Sequence, residues 1–310
     1  MKIKEILPRI YDDRQLRALT GLKTEHFILF LPIFEQFLID EQKEKNKGKY
    51  RKSGSGLKSA LDTPAEKLLF ILNYMKCYST FDNFGFTYNM NRSSACTHVY
   101  KLFPFLIKTL DYFNVLPETS FSTPEEMQQA FGDVETLLID ATERAIQRPI
   151  DDEKQKENYS GKKKQHTNKN TTIATLGHLI LYIGLTFSGR NHDYGMFKKE
   201  FDPELDWFSN FKVFVDLGYL GFNNEYQTKE LNIPHKKPNK SQKNPDPKLT
   251  KKQKDENREM SRERVIVEHV IGGMKRYNCL VDKFRNKKDG INDLFVFLAA
   301  GLWNFNVIYR

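Results

Sequence analysis

Three acidic residues in this chain stand where a carboxylate is costly unless something answers its charge. Asp140 closes the run LLID, Asp216 closes VFVD, and Glu268 lies within 261–275, SRERVIVEHVIGGMK. An acid directly after three or four apolar residues must be paired, capping or metal-bound to be tolerated in a folded protein. Each aspartate could equally open a turn, since polar or glycine-bearing residues follow both (ATER and LGYLG). The same setting occurring twice points to a shared site. Hard divalent cations take oxygen ligands, and two of them about 3.5–4 Å apart activate one phosphoryl oxygen and stabilise another. Three carboxylates in one cleft without a cation would repel each other and raise at least one pKa.

The stretch 261–275 has helical spacing. Met260, Val267, Ile271 and Met274 form one stripe, and Arg264, Glu268 and Lys275 form a second beside it. A helix packed by the first stripe holds Glu268 at the edge of the core, with a cation on either side to hold phosphate oxygens or balance charge. The spacing also describes an ordinary i,i+4 surface pair of Arg264 and Glu268, worth a few tenths of a kcal/mol. Thr250 and Gln253 form a capping box that opens this helix. Gly272 and Gly273 together cost it roughly 2 kcal/mol against alanines, so packing must hold the helix there or it ends. His269 reads as a structural or edge histidine, His166 as phosphate-facing at most, and Gly218 and Gly221 as turn formers.

The elements that position these residues follow from the patterning. Residues 135–140, 171–175, 178–187, 211–216 and 231–235 are short runs suited to strands, with 171–175 and 178–187 an antiparallel pair. A short helix fits 193–200, and 289–308 is a strongly apolar closing helix expected to pack across the sheet. The expectation for 132–310 is an α/β domain with a mixed sheet. The N-terminal part reads as all-helical. A helix spans 24 to about 42 with Pro32 inside it, and 43–58 reads as a basic, exposed connector. Thr63, Pro64 and Glu66 open a helix by N-cap, N1 proline and capping box. A second helix fits 80–87, and Asn91 caps a third over 92–103. Ala95, Val99 and Leu102 point inward there. Arg92, Ser93, Ser94, Thr97, His98 and Lys101 point outward, a set suited to a helix in the major groove. A short helix over 123–132 closes this part. The expected divisions are 1–60, a helical segment with a basic linker; 61–131, a helix-turn-helix domain; and 132–310, the domain carrying the acids.

Lys and Arg number 49 against 40 Asp and Glu, a net charge of +9. The excess is local, since 236–256 holds eight lysines and three acids. Such a balance favours a polyanionic partner, nucleic acid above all. Cys77, Cys96 and Cys279 have no paired spacing, which fits a reducing compartment and argues against a zinc finger or a disulfide framework. The N-terminus is too charged for a signal peptide. No apolar run approaches the roughly 20 residues of a membrane span.

From about residue 137 to the C-terminus the chain resembles the bacterial insertion-sequence DDE transposases. Arg264, three residues, Glu268, six residues and Lys275 reproduce that family's R-E-K spacing, and LLIDATE and VFVDLGYLG are similar to its two aspartate settings. The segment 147–169 is similar to the family's stretch after its first strand, and the helices of 64–103 resemble the DNA-binding domain that precedes its core. Ser261 departs from the pattern, because a tyrosine heads the signature in many relatives. The resemblance implies a ribonuclease-H-like fold with a mixed sheet flanked by helices, preceded by a helix-turn-helix domain. It implies that Asp140, Asp216 and Glu268 bind two magnesium or manganese ions, that Arg264 orients Glu268 or a phosphate, and that Lys275 contacts the DNA end. The implied partners are double-stranded DNA, as terminal inverted repeats and as target, and further copies of the chain on that DNA. The implied reaction is hydrolysis at element ends followed by strand transfer, in the cytoplasm beside the nucleoid. A DNA-binding protein that has lost catalysis and a nuclease that cleaves without joining are the alternatives.

Overall fold

In a computed structural model the described residues are 3–47, 61–240 and 246–310. They fall into two compact units. The first comprises residues 1–116, with 275–282 and 304–310 returning to it. It is helical: α1 (Ile3–Ile6), α2 (Asp13–Thr20), α3 (Thr24–Asn46), α4 (Pro64–Cys77), α5 (Phe81–Thr87) and α6 (Arg92–Tyr112).

Local chemistry sets most of these boundaries. Thr63 and Glu66 close the expected capping box at the start of α4, and the Thr80 and Asn91 side chains cap α5 and α6. Gly85 is required in α5, because a Cβ there would lie 2.6 Å from the Met90 carbonyl oxygen. Two helices outrun the sequence expectation. α3 takes in residues 43–46, and the rest of the expected basic connector lies outside the described residues except for Lys47. α6 continues through Pro104 for a further nine residues past 103, because Phe105, Leu106 and Leu110 are buried and hold it in register. The core is aromatic: Phe27, Phe30 and Phe34 of α3 are fully buried, with Phe30 edge-on to Phe305 at 5.2 Å and Phe34 edge-on to Phe105 at 6.3 Å.

The second unit comprises residues 117–274 and 283–303. Its elements are α7 (Pro124–Phe131), β1 (Thr136–Ala145), α8 (Asp152–Asn158), β2 (Tyr159–Ser160), β3 (Gln165–Ala174), β4 (Ile180–Ile183), β5 (Phe187–Ser188), α9 (Asp193–Glu200), β6 (Lys212–Phe214), α10 (Phe222–Glu225), β7 (Glu230–Asn232), α11 (Lys251–Met274) and most of α12 (Ile291–Ile308). The strands form a mixed sheet in the order β2-β3-β1-β6-β7, with β4 and β5 also on β3. β1 is antiparallel to β3 and parallel to β6.

Because side chains alternate across a strand, β1 serves two layers. Leu137 and Ile139 face an aromatic layer that contains Phe197 of α9, Phe201 just after it, Phe208, Phe222 and Tyr226. Leu138, Asp140, Thr142 and Arg144 take the other face, and α11 contacts β1, β3 and β6. α11 runs through both glycines. A Cβ on Gly273 would sit 2.0 Å from the Trp303 ring, so this glycine lets helix and ring approach; Gly272 has nothing within 4 Å. β1 differs from expectation in length. It does not stop at Asp140 but continues to Ala145, because Ala141–Ala145 pair in register with 167–171 of β3.

α12 is long and apolar enough to cross a membrane by length and composition. Phe295, Val296, Leu298, Ala299, Ala300, Leu302 and Phe305 are buried within the protein, as suits the core helix of a globular fold. The three cysteines are free thiols.

Candidate active site

Asp140 sits in mid-strand on β1, opposite Thr172 of β3. On its other side the parallel pairing with β6 sets Leu138 against Phe214. β6 ends at Phe214, and Asp216, two residues further on, lies close enough for its charge to act on Asp140. Asp216 is half-buried and caps a short 3-10 turn at Leu217–Tyr219, accepting the Gly218 N–H at 2.7 Å. The close turn explains Gly218, where a Cβ would lie 2.8 Å from the Asp216 Oδ1.

Burial pushes the Asp140 carboxyl up to about 6 from an ordinary 3.8. The Ala141 N–H, which donates to its Oδ1 at 2.7 Å, works against that shift. The neighbouring carboxylates of Asp216 and Asp193 raise it further, and the Arg264 guanidinium lowers it. A half-buried acid with two acidic neighbours favours a cation beside it.

α11 brings Arg264 to this face. Its side chain is 20% exposed, whereas Glu268 is 60% exposed, and the two are 3.9 Å apart. The structure therefore gathers Asp140, Asp216 and Arg264 and leaves the Glu268 carboxylate turned toward solvent beside the arginine. Among the described residues no three acids, histidines or cysteines are close enough together to hold a metal ion. The donor set nonetheless fits a hard divalent cation: two adjacent carboxylates, oxygen ligands only, with a third carboxylate on a flexible side chain of the helix across the same face. Lys275 follows the last residue of α11 and is half-buried within the helical unit. Ser261 and His269 are exposed on α11.

The sequence reading missed a second charged pair. Lys169 of β3 is buried, and its Nζ donates to Asp193 Oδ1 and to the Asn191 carbonyl, each at 2.9 Å. Asp193, the first residue of α9, is the carboxylate that adds to the charge around Asp140. A signal was present: a lysine inside the β-branched run NKNTTIAT has to be buried with a partner.

In the helical unit, Arg92, Ser93, Thr97 and Lys101 are exposed on α6, and Ser94 and His98 are half-buried. The ring of His98 packs edge-on to Phe70 at 6.2 Å. Burial, then Lys101 and Lys67, holds its pKa below the usual imidazole value. Arg92 is 3.8 Å from Asp82 in an exposed pair.

A family model described as DDE superfamily endonuclease matches residues 139–304. The chain belongs to the DDE superfamily endonucleases. The match begins one residue before Asp140, within β1, and takes in Asp216, Glu268 and the strands that follow β1. The endonuclease is also 28% identical over 307 residues to a "Probable transposase for insertion sequence element IS702" of Microchaete diplosiphon, covering 96% of each chain. No solved structure matches it. Both findings agree with the resemblance to insertion-sequence DDE transposases carried by its motifs.

Proposed function

We propose that this endonuclease is the transposase of an insertion sequence. On this reading the helical unit recognises terminal inverted repeats, with Arg92, Ser93, Ser94, Thr97, His98 and Lys101 of α6 meeting the DNA as the second helix of a helix-turn-helix within 61–131. Residues 132–310 form a ribonuclease-H-like catalytic domain in which Asp140, Asp216 and Glu268 are the metal ligands. What supports the proposal is the closeness of the Asp216 and Arg264 charges to the half-buried Asp140 carboxyl, with Glu268 3.9 Å from Arg264 on the same helix.

Two magnesium or manganese ions bound there would supply charge neutralisation at the attacking and leaving oxygens of a phosphodiester. Asp140 and Asp216 contribute two fixed carboxylates, positioned by the sheet and the Gly218 turn. Glu268, on the exposed side of Arg264, would contribute the third carboxylate. Arg264, between Glu268 and Asp140, balances their charge and is available to a phosphate oxygen. Lys275 acts as a DNA-contacting cation. Water, and then a 3′-hydroxyl of the element end, is the nucleophile, and strand transfer joins that end to target DNA. Several copies of the chain act together in the cytoplasm, because two ends have to be held at once.

The test is nicking of DNA that carries the inverted repeats flanking this coding region, in magnesium. Glu268→Gln and Asp140→Asn are expected to abolish cleavage while DNA affinity persists. Cleavage equal to the parent's in either variant would remove that residue from the catalytic set. The exposure of Glu268 favours one other reading, a DNA-binding protein without catalysis, for which the parent itself would bind the repeats and leave them intact. A nuclease without joining would cut them but give no strand-transfer product.

A further inference from the structure

Between β1 and β3 the chain leaves the sheet and folds residues 146–166 into a loop, α8 and the β2–β3 hairpin. The proposed chemistry uses none of these residues. They enclose an open cleft of about 650 Å³ lined by Arg148, Gln155, Lys156, Tyr159, His166 and Arg190, within the range of pockets that hold nucleotide-sized ligands. Among the described residues its lining includes no carboxylate, although Glu153 pairs with the lining Lys156 at 2.8 Å.

The lining is held from below. Tyr159 and His166 are cross-strand partners of the hairpin, with ring centroids 5.6 Å apart and planes at 72°. Tyr159 is 43% exposed, so part of its ring is open to the cleft. The Arg148 Nε donates to Gln155 Oε1 at 2.8 Å, which fixes the guanidinium at the rim. Arg190 is placed by its backbone, whose N–H donates to the Glu157 carbonyl at 3.1 Å. Gly189 permits that approach: a Cβ there would lie 2.1 Å from Thr167 Oγ1 and 2.8 Å from the Asn158 carbonyl oxygen. Beyond Arg148 a second cavity of about 580 Å³ continues past Arg285 and Lys287. Ile150, on the wall of that second cavity, is 95% exposed.

Cations alone would suit any stretch of phosphate backbone. A half-open tyrosine ring in a cleft that two arginines also line asks for more, because a base inside a paired duplex offers it no face, whereas an unstacked base does. An isoleucine held in solvent beside the cleft has the character of the apolar wedges that enter a base step and open it. We propose that this cleft receives an unstacked nucleotide of the bound DNA, with the base on Tyr159, its phosphates on Arg148 and Arg190, and Ile150 filling the gap left in the stack. The proposal rests on DNA being the substrate. The cleft is distinct from the acid pair, since Ile146 lies six residues beyond Asp140, about 20 Å along the strand direction.

The experiment compares two short fluorescent duplexes of one sequence by anisotropy, without divalent metal. One is fully paired, and the other carries a central adenine opposite an abasic site. The parent is expected to bind the second about tenfold more tightly, the contribution of one base stacked on an aromatic ring. Tyr159→Ala is expected to lose that preference while binding the paired duplex as the parent does, and Tyr159→Phe to keep it. Equal affinity of the parent for both duplexes overturns the proposal, as does a Tyr159→Ala variant weakened equally on both. In those outcomes binding to paired DNA persists, so the failure is the cleft's alone. A parent that binds neither duplex overturns the DNA substrate as well.

Discussion

Replacing Asp140 with asparagine should make the metal-free protein more stable at neutral pH. Burial holds the native carboxyl at about 6 against an ordinary 3.8, a difference that corresponds to about 3 kcal/mol. Between those values the folded protein keeps a proton that the unfolded chain has released. Stability therefore falls as pH rises through the window and stays reduced above pH 6. The asparagine of the variant cannot ionise, yet keeps an oxygen to accept the Ala141 N–H. The difference between variant and parent should open from near zero around pH 4 to at most about 3 kcal/mol at pH 8, or several degrees in Tm for a chain of this size. Circular dichroism melts in a chelator from pH 4 to 8 measure it. Magnesium should then raise the parent's Tm and narrow the gap, because a ligand bound to the native state alone stabilises it. A variant no more stable than the parent at pH 8, or a gap that ignores pH, would refute a desolvated, cation-seeking Asp140.

The adjacent glycines of α11 should respond in opposite directions. Gly273→Ala, which forces a methyl into the Trp303 ring, is expected to cost about 1–3 kcal/mol, whereas Gly272→Ala, in open space, should gain up to about 1 kcal/mol in urea unfolding. Lys169→Met leaves Asp193 without its buried partner and should cost roughly 3–5 kcal/mol. The double variant Lys169→Met, Asp193→Leu should recover much of that loss, and a recovery no better than the single variant would show that the pair is not coupled. In the helical unit, Lys101→Ala should lower the salt slope of DNA binding by about one, if Lys101 meets a phosphate. An unchanged slope would place the DNA elsewhere.

Much of the chain's local order was legible in its sequence. Thr63 with Glu66, Asn91 and Thr250 with Gln253 announced helix starts that occur where they indicate. Capping joins groups within four residues of one another, so the pattern is complete in the sequence. The acids were legible for a similar reason: a charge next to a short apolar run is conspicuous wherever the run folds. Element ends decided by packing were less legible. Nothing local to 104–112 shows that α6 survives Pro104, since its buried face is held by distant side chains. Nor does LLIDATERA show that β1 runs on past Asp140, since the continuation depends on pairing with 167–171.

Which residues carry charge and reactivity, and roughly which elements hold them, is a local property of the chain. Tertiary structure alone decided which of them meet. The parallel pairing of β1 with β6 brings Asp216 close enough to act on Asp140, 76 positions away in sequence. The packing of α9 against the sheet adds Asp193 and Lys169 to their surroundings, and the rotation of α11 turns Arg264 inward and Glu268 outward. A carboxylate's energy depends on the charges and water within a few ångströms of it. Those neighbours come from strands and helices far away along the chain, so they exist only once the sheet has closed.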